Sequence, residues 1–459
     1  MDAANALAHN VANIKFEDIP ADVVNVAKMS VLDTLGNAIA AATLDHGCRG
    51  VVEFVKEGGG KPESTIIGFG GKVPSWMAAF ANCTMAHSLD YDDSNEKAMT
   101  HGGATHVPAT LAVAERLGKV DGKAFITAVI LGMDMAFRIS LATPKLPRNW
   151  HPTSLYGVFG TAASAGKLLG LNADQIQNAL GIAYSQASGN RQAVDDAALT
   201  KRLEVGFASM AGILSALLAQ KGITGATNSL EGEFGLYKVY HQGKYDPAVI
   251  TADLGKKFEV SNLMFKPYPS PRGTHAAIDA TLEIVGEHNL QPGDIESITV
   301  LKSETAAKVL AEPVDRKRRP TNVVDAQFSL PYAVATAVVK RGVGLRDYGP
   351  EAIVNPAVLE VAQKVTVKVY PEFNTVKNTF VPGITEIKTK DGKVYSKRVD
   401  VPYGSPKNPM PRERLISKFT DCASYAVKPL NKKDLKNLTD MVLDLEHVSD
   451  MGDIVRLLA

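Results

Sequence analysis

The residues best suited to chemistry lie in His87-Ser88-Leu89-Asp90-Tyr91-Asp92-Asp93-Ser94 and, a few positions on, Thr100-His101-Gly102-Gly103-Ala104-Thr105-His106. Three carboxylates so close together repel one another, which raises at least one pKa and suits proton transfer. An acidic helix end is the plain alternative, but an N-cap uses one Asp rather than three with flanking His. The HExxH and His-x-His spacings of a metal site are missing, so no metal is expected. His151, in Asn149-Trp150-His151-Pro152-Thr153-Ser154, falls between two helical patterns. It is either a packed loop histidine or an imidazole aimed, with the N-terminus of the next helix, at an anion.

Two basic stretches follow. Lys201 and Arg202 come after Asp195-Asp196-Ala197-Ala198-Leu199-Thr200, and Lys266 opens Lys266-Pro267-Tyr268-Pro269-Ser270-Pro271-Arg272-Gly273-Thr274-His275. Three prolines stiffen this second loop, and it runs into a helix, so Lys266, Arg272 and His275 make a carboxylate receptor. It also lies where two regions of different pattern meet, a favoured place for a cleft. The clusters Gly58-Gly59-Gly60 and Gly68-Phe69-Gly70-Gly71 lack the Lys-Ser/Thr of a phosphate loop and read as turns. The basic run Asp315-Arg316-Lys317-Arg318-Arg319-Pro320 reads as a solvated loop, or else as a grip on an anion or a second subunit.

The elements that must hold these residues are mostly helical. Apolar residues recur at helical spacing over Pro20–Ala42, Pro74–Leu89, Pro108–Leu117, Gly122–Leu141, Tyr156–Leu169, Asp174–Ala187 and Ala208–Gln220. Many of these are rich in Ala and Gly, which lets helix axes approach closely. One short strand, Ser64–Ile67, interrupts them. From Pro267 to about Gly404 the pattern is α+β: a helix over 274–288, a strand over 295–301, a helix over 328–340 and a strand over 365–370. The segments 384–389 and 394–399 then flank Lys390-Asp391-Gly392-Lys393, a hairpin signal. Helical patterns return over 412–425, 432–445 and 451–458. The layout predicted is mainly α: an all-helical domain from both chain ends, residues 1–266 plus 407–459, with a smaller α+β lid domain, 267–406, inserted.

Composition narrows the partners. The chain has 459 residues, a formal net charge of +1 and 45% hydrophobic residues. A neutral total offers no field for a phosphate backbone or an acidic membrane, so a small molecule is the expected partner rather than nucleic acid or lipid. Cys48, Cys83 and Cys422 are scattered, with no CxxC, which excludes a local zinc or iron–sulfur ligand set and suits a reducing, cytoplasmic setting. The acid in Met1-Asp2-Ala3 does not fit a signal peptide, and even the apolar stretch 124–137 contains Asp134, so neither secretion nor membrane spanning is expected.

Taken in order, these stretches resemble the MmgE/PrpD family, which contains 2-methylcitrate dehydratase, cis-aconitate decarboxylase and iminodisuccinate epimerase. The likeness rests on Ser64-Thr65-Ile66-Ile67-Gly68, Asn82-Cys83-Thr84-Met85-Ala86-His87 through Asp93, His101, Trp150-His151-Pro152-Thr153, Thr200-Lys201-Arg202-Leu203, Phe265-Lys266-Pro267-Tyr268-Pro269 through His275, and Phe328-Ser329-Leu330-Pro331-Tyr332. It implies the two-domain layout above, a homodimer, and chemistry without metal, iron–sulfur centre or other cofactor. By motif it implies site positions at Asp90, Ser94, His101, His151, Lys201, Lys266 and Tyr332; Arg272 and His275 come from the loop itself. Two segments depart from the family pattern: Ser94-Asn95-Glu96-Lys97, where Thr and then His or Trp are usual, and Ser270-Pro271-Arg272-Gly273, where Cys or another small residue is common.

The chemistry implied is proton movement at a carbon beside a carboxylate, which needs a base near the carbon and cations for the developing enediolate charge. His151 with Asp90 then carries the acid–base work, and His101 and Tyr332 donate to the leaving group or product. Lys201, Lys266, Arg272, His275 and Ser94 bind a small polycarboxylate. Loss of β-hydroxide makes a dehydratase, favoured on family frequency; reprotonation makes an epimerase, and loss of CO₂ a decarboxylase. The alternative of another class is a carboxylate-binding or scaffold protein that retains the fold without turnover.

Overall fold

The computed structural model describes residues 2–44, 46–143, 149–375 and 381–459. The described residues are mainly helical, with strands only in small sheets, and divide into two units. The first comprises Met1–Ser88, Asp92–Phe265 and Pro411–Ala459; the second comprises Leu89–Tyr91 and Lys266–Met410.

The first unit is built on the helices Ala21–Leu44, Ser75–His87, Gly103–Leu117, Gly122–Leu141, Pro152–Leu168 and Thr200–Gln220. Their small residues work as the composition predicts. A Cβ at Gly206 would meet the Thr84 hydroxyl at 2.3 Å and the Phe80 carbonyl at 2.6 Å, so Thr200–Gln220 and Ser75–His87 touch backbone to backbone. A Cβ at Gly160 would lie 2.2 Å from His106 Nε2 and 2.4 Å from the Gly132 carbonyl. Gly160→Ala therefore has no room on either side, and we expect it to cost about 3 kcal/mol, read as a lower urea midpoint at unchanged slope. A loss under about 1 kcal/mol would show that the crossing can open.

Among the C-terminal helices, Arg412–Ala423 packs on Ala21–Leu44, with Phe419 against Gly36 and a buried ion pair between Lys418 and Asp33 at 2.7 Å. Besides helices, this unit holds two two-stranded ribbons. Ser64–Thr65 pairs with Lys72–Val73, near the strand expected over 64–67. Ser94–Asn95 pairs with Leu263–Met264, a pairing with no local sequence signal.

Three helix starts differ from the periodicity reading by four or more residues, and one of them, the helix expected from Tyr156, begins at Pro152. The helix expected from Pro108 begins at Gly103, where the Gly103 N–H donates to Asp93 Oδ1 at 2.8 Å, so the cap comes from outside the helix. The helix expected from Ala208 begins at Thr200 and so includes Lys201, Arg202 and Glu204, all buried. Gly122–Leu141 and Thr200–Gln220 are long and apolar enough to cross a bilayer, with windows of mean hydropathy 1.7 and 1.5. In the first, 89% of that window is buried within the protein, and the helix encloses an ion pair, Arg138 Nε to Asp134 at 2.6 Å.

The second unit is a four-stranded sheet in the order Val365–Val369, Ile295–Lys302, Gly383–Thr389, Val394–Val399. The first pair is parallel and the others antiparallel. Side chains of Gly383–Thr389 alternate in burial, as a strand with one covered face must. The Asp391-Gly392 turn forms as its sequence predicts, with Gly392 at φ +87°. The helix Arg272–Glu287 lies on the last two strands and Leu330–Lys340 on the first, closing a core around Ile278, Ile298, Val300, Tyr332 and Ile387. The chain enters this unit briefly at 89–91: Gln327 Nε2 donates to the Leu89 carbonyl at 2.7 Å, and the Tyr91 hydroxyl to the Pro267 carbonyl at 3.3 Å.

The basic run 315–320 is structural in three of its side chains. Buried Lys317 donates to the Phe328 carbonyl at 2.8 Å, Arg318 to the Val365 carbonyl at 2.7 Å, and Arg316 pairs with Asp325 at 2.7 Å.

Candidate functional site

Asp92, His101 and His151 of the first unit gather around His87, the last residue of Ser75–His87, and Glu204 joins through His151. Asp92 Oδ2 lies 2.8 Å from His87 Nδ1 and 2.9 Å from His101 Nδ1, so one carboxylate oxygen serves two rings. The His87 ring meets His101 edge-on at 4.8 Å and stacks with His151 at 5.7 Å. His151 is the N-cap residue of Pro152–Leu168, but its side chain makes no capping bond. Its Nδ1 lies 2.7 Å from Glu204 Oε2 instead. Glu204 is held in turn by the Asn190 N–H, which donates to Oε1 at 3.1 Å. The His101 N–H donates to the Thr153 hydroxyl at 3.2 Å, tying the two histidine segments together.

The electrostatics follow from burial and these contacts. Burial alone would raise Asp92, but the His101 and His87 rings outweigh it and hold the carboxyl well below its usual range. His87 is pushed down to about 3, first by burial and then by the Lys201 charge, so it is a neutral ring at ordinary pH. Three ligand-type atoms of His87, Asp92 and His101 lie within 4.8 Å of one another. The His87–Asp92 contact is a hydrogen bond, whereas the His101 Nδ1 contact is an ion-pair distance without hydrogen-bond geometry.

The raised carboxyl expected in the acidic stretch is Asp93. It is pushed up to about 7, first by burial and then by the charge of Asp33, a residue distant in the chain, while Ser30 and the Gly103 N–H hold its oxygens. The folded state therefore keeps a proton that the unfolded chain releases near 3.8. The Asp93 contribution to stability is complete below about 4 and is lost as pH rises towards 7, by up to about 1.4 kcal/mol per pH unit. His87 acts the other way below 6.5, so the test is a difference. Asp93→Asn should gain stability relative to the parent protein between pH 5 and 7 and hold that gain above it, measured by urea unfolding. A pH-independent difference would refute this.

The second unit holds its own cluster. Lys266, fully buried, donates to the Asp90 carbonyl at 2.8 Å and pairs with Asp90 Oδ1 at 2.5 Å. Asp90 takes the left-handed conformation, φ +51°, which Asp tolerates better than most residues. Arg272 and Gly273 begin the helix Arg272–Glu287. His275 is buried on the first turns of the same helix. Burial first, and then the charge of Lys266, push it down to about 3; its Nε2 lies 3.0 Å from the Ser270 carbonyl, and its buried Nδ1 has no hydrogen-bond partner. A neutral imidazole bonded in this way adds no positive charge.

Tyr332 lies in the helix Leu330–Lys340. Its ring packs in the second unit's core and its hydroxyl donates to the Asp347 carbonyl at 2.6 Å. The buried Tyr348 beside it, whose environment includes Ser270 and Asp90, has no comparable sequence signal. Ser94 is buried in the first unit, in the ribbon with Met264. Lys201 is buried in the first turn of Thr200–Gln220. Thus His101, His151, Lys201 and Ser94 lie in one unit, and Asp90, Lys266, Arg272, His275 and Tyr332 in the other. Glu204 was invisible in the sequence because its helix was read from Ala208; the helical continuation back through Arg202 to Thr200 was the available signal.

Helices joined by glycine contacts, a smaller α+β unit and buried imidazole–carboxylate pairs define the class. Residues 5–248 match the MmgE/PrpD N-terminal domain and residues 268–444 the MmgE/PrpD C-terminal domain. The chain belongs to the MmgE/PrpD family. Among its relatives, cis-aconitate decarboxylase of Aspergillus terreus is 27% identical over 98% of this chain and 95% of its own. Human cis-aconitate decarboxylase is 28% identical over 99% and 94%. A probable 2-methylcitrate dehydratase of Saccharomyces cerevisiae is 22% identical over 74% and 69%. These relatives carry the names of lyases.

Proposed function

We propose that this protein is a lyase acting on a small di- or tricarboxylic acid at a carbon beside a carboxylate. The observation that carries this reading is the pair of imidazoles, His101 and His151, each with a carboxylate at Nδ1. An imidazole is the side chain best suited to take up or deliver a proton near neutral pH. His151 is assigned proton transfer and His101 delivery to the leaving group or product. Lys201, Lys266 and Arg272 are assigned the substrate carboxylates, and Ser94 a hydroxyl contact.

The sequence reading favoured dehydration. The relatives that align end to end with the chain are named as decarboxylases, which favours decarboxylation of a tricarboxylate. In that reaction the C–C bond to one carboxylate breaks, CO₂ leaves, the electron pair stays on carbon, and a protonated imidazole supplies H⁺ there. In dehydration the base takes the C–H proton, the pair forms the double bond, and hydroxide leaves as water with a second proton. Both need cations against the same developing charge. The partial match to a dehydratase name supports this second reading.

The test is to incubate purified protein with cis-aconitate, citrate, 2-methylcitrate and iminodisuccinate. Absorbance of the unsaturated acid and release of CO₂ are followed. Turnover of cis-aconitate with one CO₂ per molecule is the expected result, whereas growth of absorbance from 2-methylcitrate would select dehydration. Thermal stabilisation by these acids without turnover of any would leave a binding protein.

A further inference from the structure

We infer that His87 is a specificity-determining residue whose Nε2 accepts a hydrogen bond from a hydroxyl of the bound acid, so that the site takes hydroxy-polycarboxylates. This rests on the polycarboxylate reading above and deepens it. In dehydration such an acid is the substrate, and in decarboxylation it is a ligand that competes with the unsaturated acid. His87 ends the helix Ser75–His87 and is fully buried. Its Nδ1 makes a hydrogen bond of 2.8 Å with Asp92 Oδ2, and Asp92 is buried as completely. Its ring meets both imidazoles assigned to proton movement, His101 edge-on at 4.8 Å and His151 stacked at 5.7 Å. All of these residues belong to the first unit.

The Asp92 bond settles the tautomer. Asp92 is ionised at ordinary pH and a carboxylate only accepts, so the hydrogen of the neutral His87 ring is on Nδ1. The lone pair is then on Nε2, a buried atom with no hydrogen-bond partner among the described residues. An acceptor that folding takes from water without a replacement bond is costly, and so calls for a donor. Burial and the Lys201 charge keep Nε2 from taking a proton of its own, so it stays an acceptor rather than a second base. A substrate carboxylate cannot fill the place, because it would set lone pair against lone pair. At neutral pH the carboxyls of a small polycarboxylic acid are ionised, which leaves its hydroxyl as the donor it can offer.

The experiment titrates citrate and tricarballylate, which differ by one hydroxyl, into the parent protein and into His87→Asn by calorimetry. Asparagine sets an N–H donor where Nδ1 stood, so the bond to Asp92 is kept, and it has no acceptor in the place of Nε2. The parent should bind citrate about tenfold more tightly than tricarballylate, and His87→Asn should bind the two alike, with tricarballylate affinity unchanged. Nitrogen-15 histidine NMR of the parent should show His87 with hydrogen on Nδ1, and an Nε2 signal that citrate moves and tricarballylate does not. A parental preference for citrate retained in His87→Asn would mean that His87 serves only to hold Asp92, and overturns the inference. So does hydrogen on Nε2, or an Nε2 signal that both acids leave in place, as a resident water would give. Citrate bound no more tightly than tricarballylate by the parent overturns it as well, and that measurement needs no variant to fold. Preference for citrate without turnover of any acid keeps the hydroxyl role and removes the lyase reading; turnover of cis-aconitate without that preference does the reverse.

Discussion

Lys266→Ala should lose turnover by at least about 10³-fold and cost about 3–5 kcal/mol of stability, and the two losses should separate in a double variant. Lys266 is 1% exposed and its ammonium rests on both the carbonyl and the carboxylate of Asp90. Removing one partner leaves a buried charge without its closest counter-ion, which is the costly case. Replacing both, as Asp90→Asn with Lys266→Met, removes the charges together while Asn still tolerates the left-handed backbone at φ +51°. The double variant should therefore recover most of the stability by urea unfolding. It should recover none of the turnover, because a methionine cannot hold a carboxylate or offset developing negative charge. A double variant with parental turnover would remove Lys266 and Asp90 from the chemistry.

His151→Ala should show the opposite balance. Its ring is 12% exposed, makes no helix cap, and leaves the backbone bonds of the segment in place, so stability should fall by at most about 2 kcal/mol. Turnover should fall about 10⁴-fold, the upper range for removal of a general acid–base group. Added imidazole, able to enter the space beside Glu204, should restore part of the rate. A rate within tenfold of the parent would move the proton work to another group, with His101 the next to test by the same substitution.

Much of this architecture was legible in the residues. Helix Gly122–Leu141 has the bounds its apolar period predicts, and strands Gly383–Thr389 and Val394–Val399 flank the Asp-Gly turn as expected. The starts of Gly103–Leu117 and Thr200–Gln220 were not legible, because both lie ahead of the apolar period that begins at Pro108 and Ala208. Tertiary contacts override both: Asp93 caps the first from outside, and Gly206 is where Thr200–Gln220 meets Ser75–His87. Residue types at the candidate site were likewise visible, but their charge states were not. His275 looks cationic beside Lys266 and Arg272, yet burial holds it neutral. The repulsion expected among Asp90, Asp92 and Asp93 is instead divided by environment: two imidazoles lower Asp92, and burial with Asp33 raises Asp93.

By itself, then, the amino-acid order determined the kinds of element, the change from helical to α+β patterning near residue 265, and which side chains could do acid–base work. These depend on spacing of 2 or 3.6 residues and on side-chain chemistry, both local properties. Only the tertiary structure decided that Asp92 serves two histidines, that Glu204 backs His151, and that Tyr332 is bonded within a core. Proton affinity and tautomer depend on the few ångströms around a group after burial. Those neighbours come from distant parts of the chain that meet only when the helices pack.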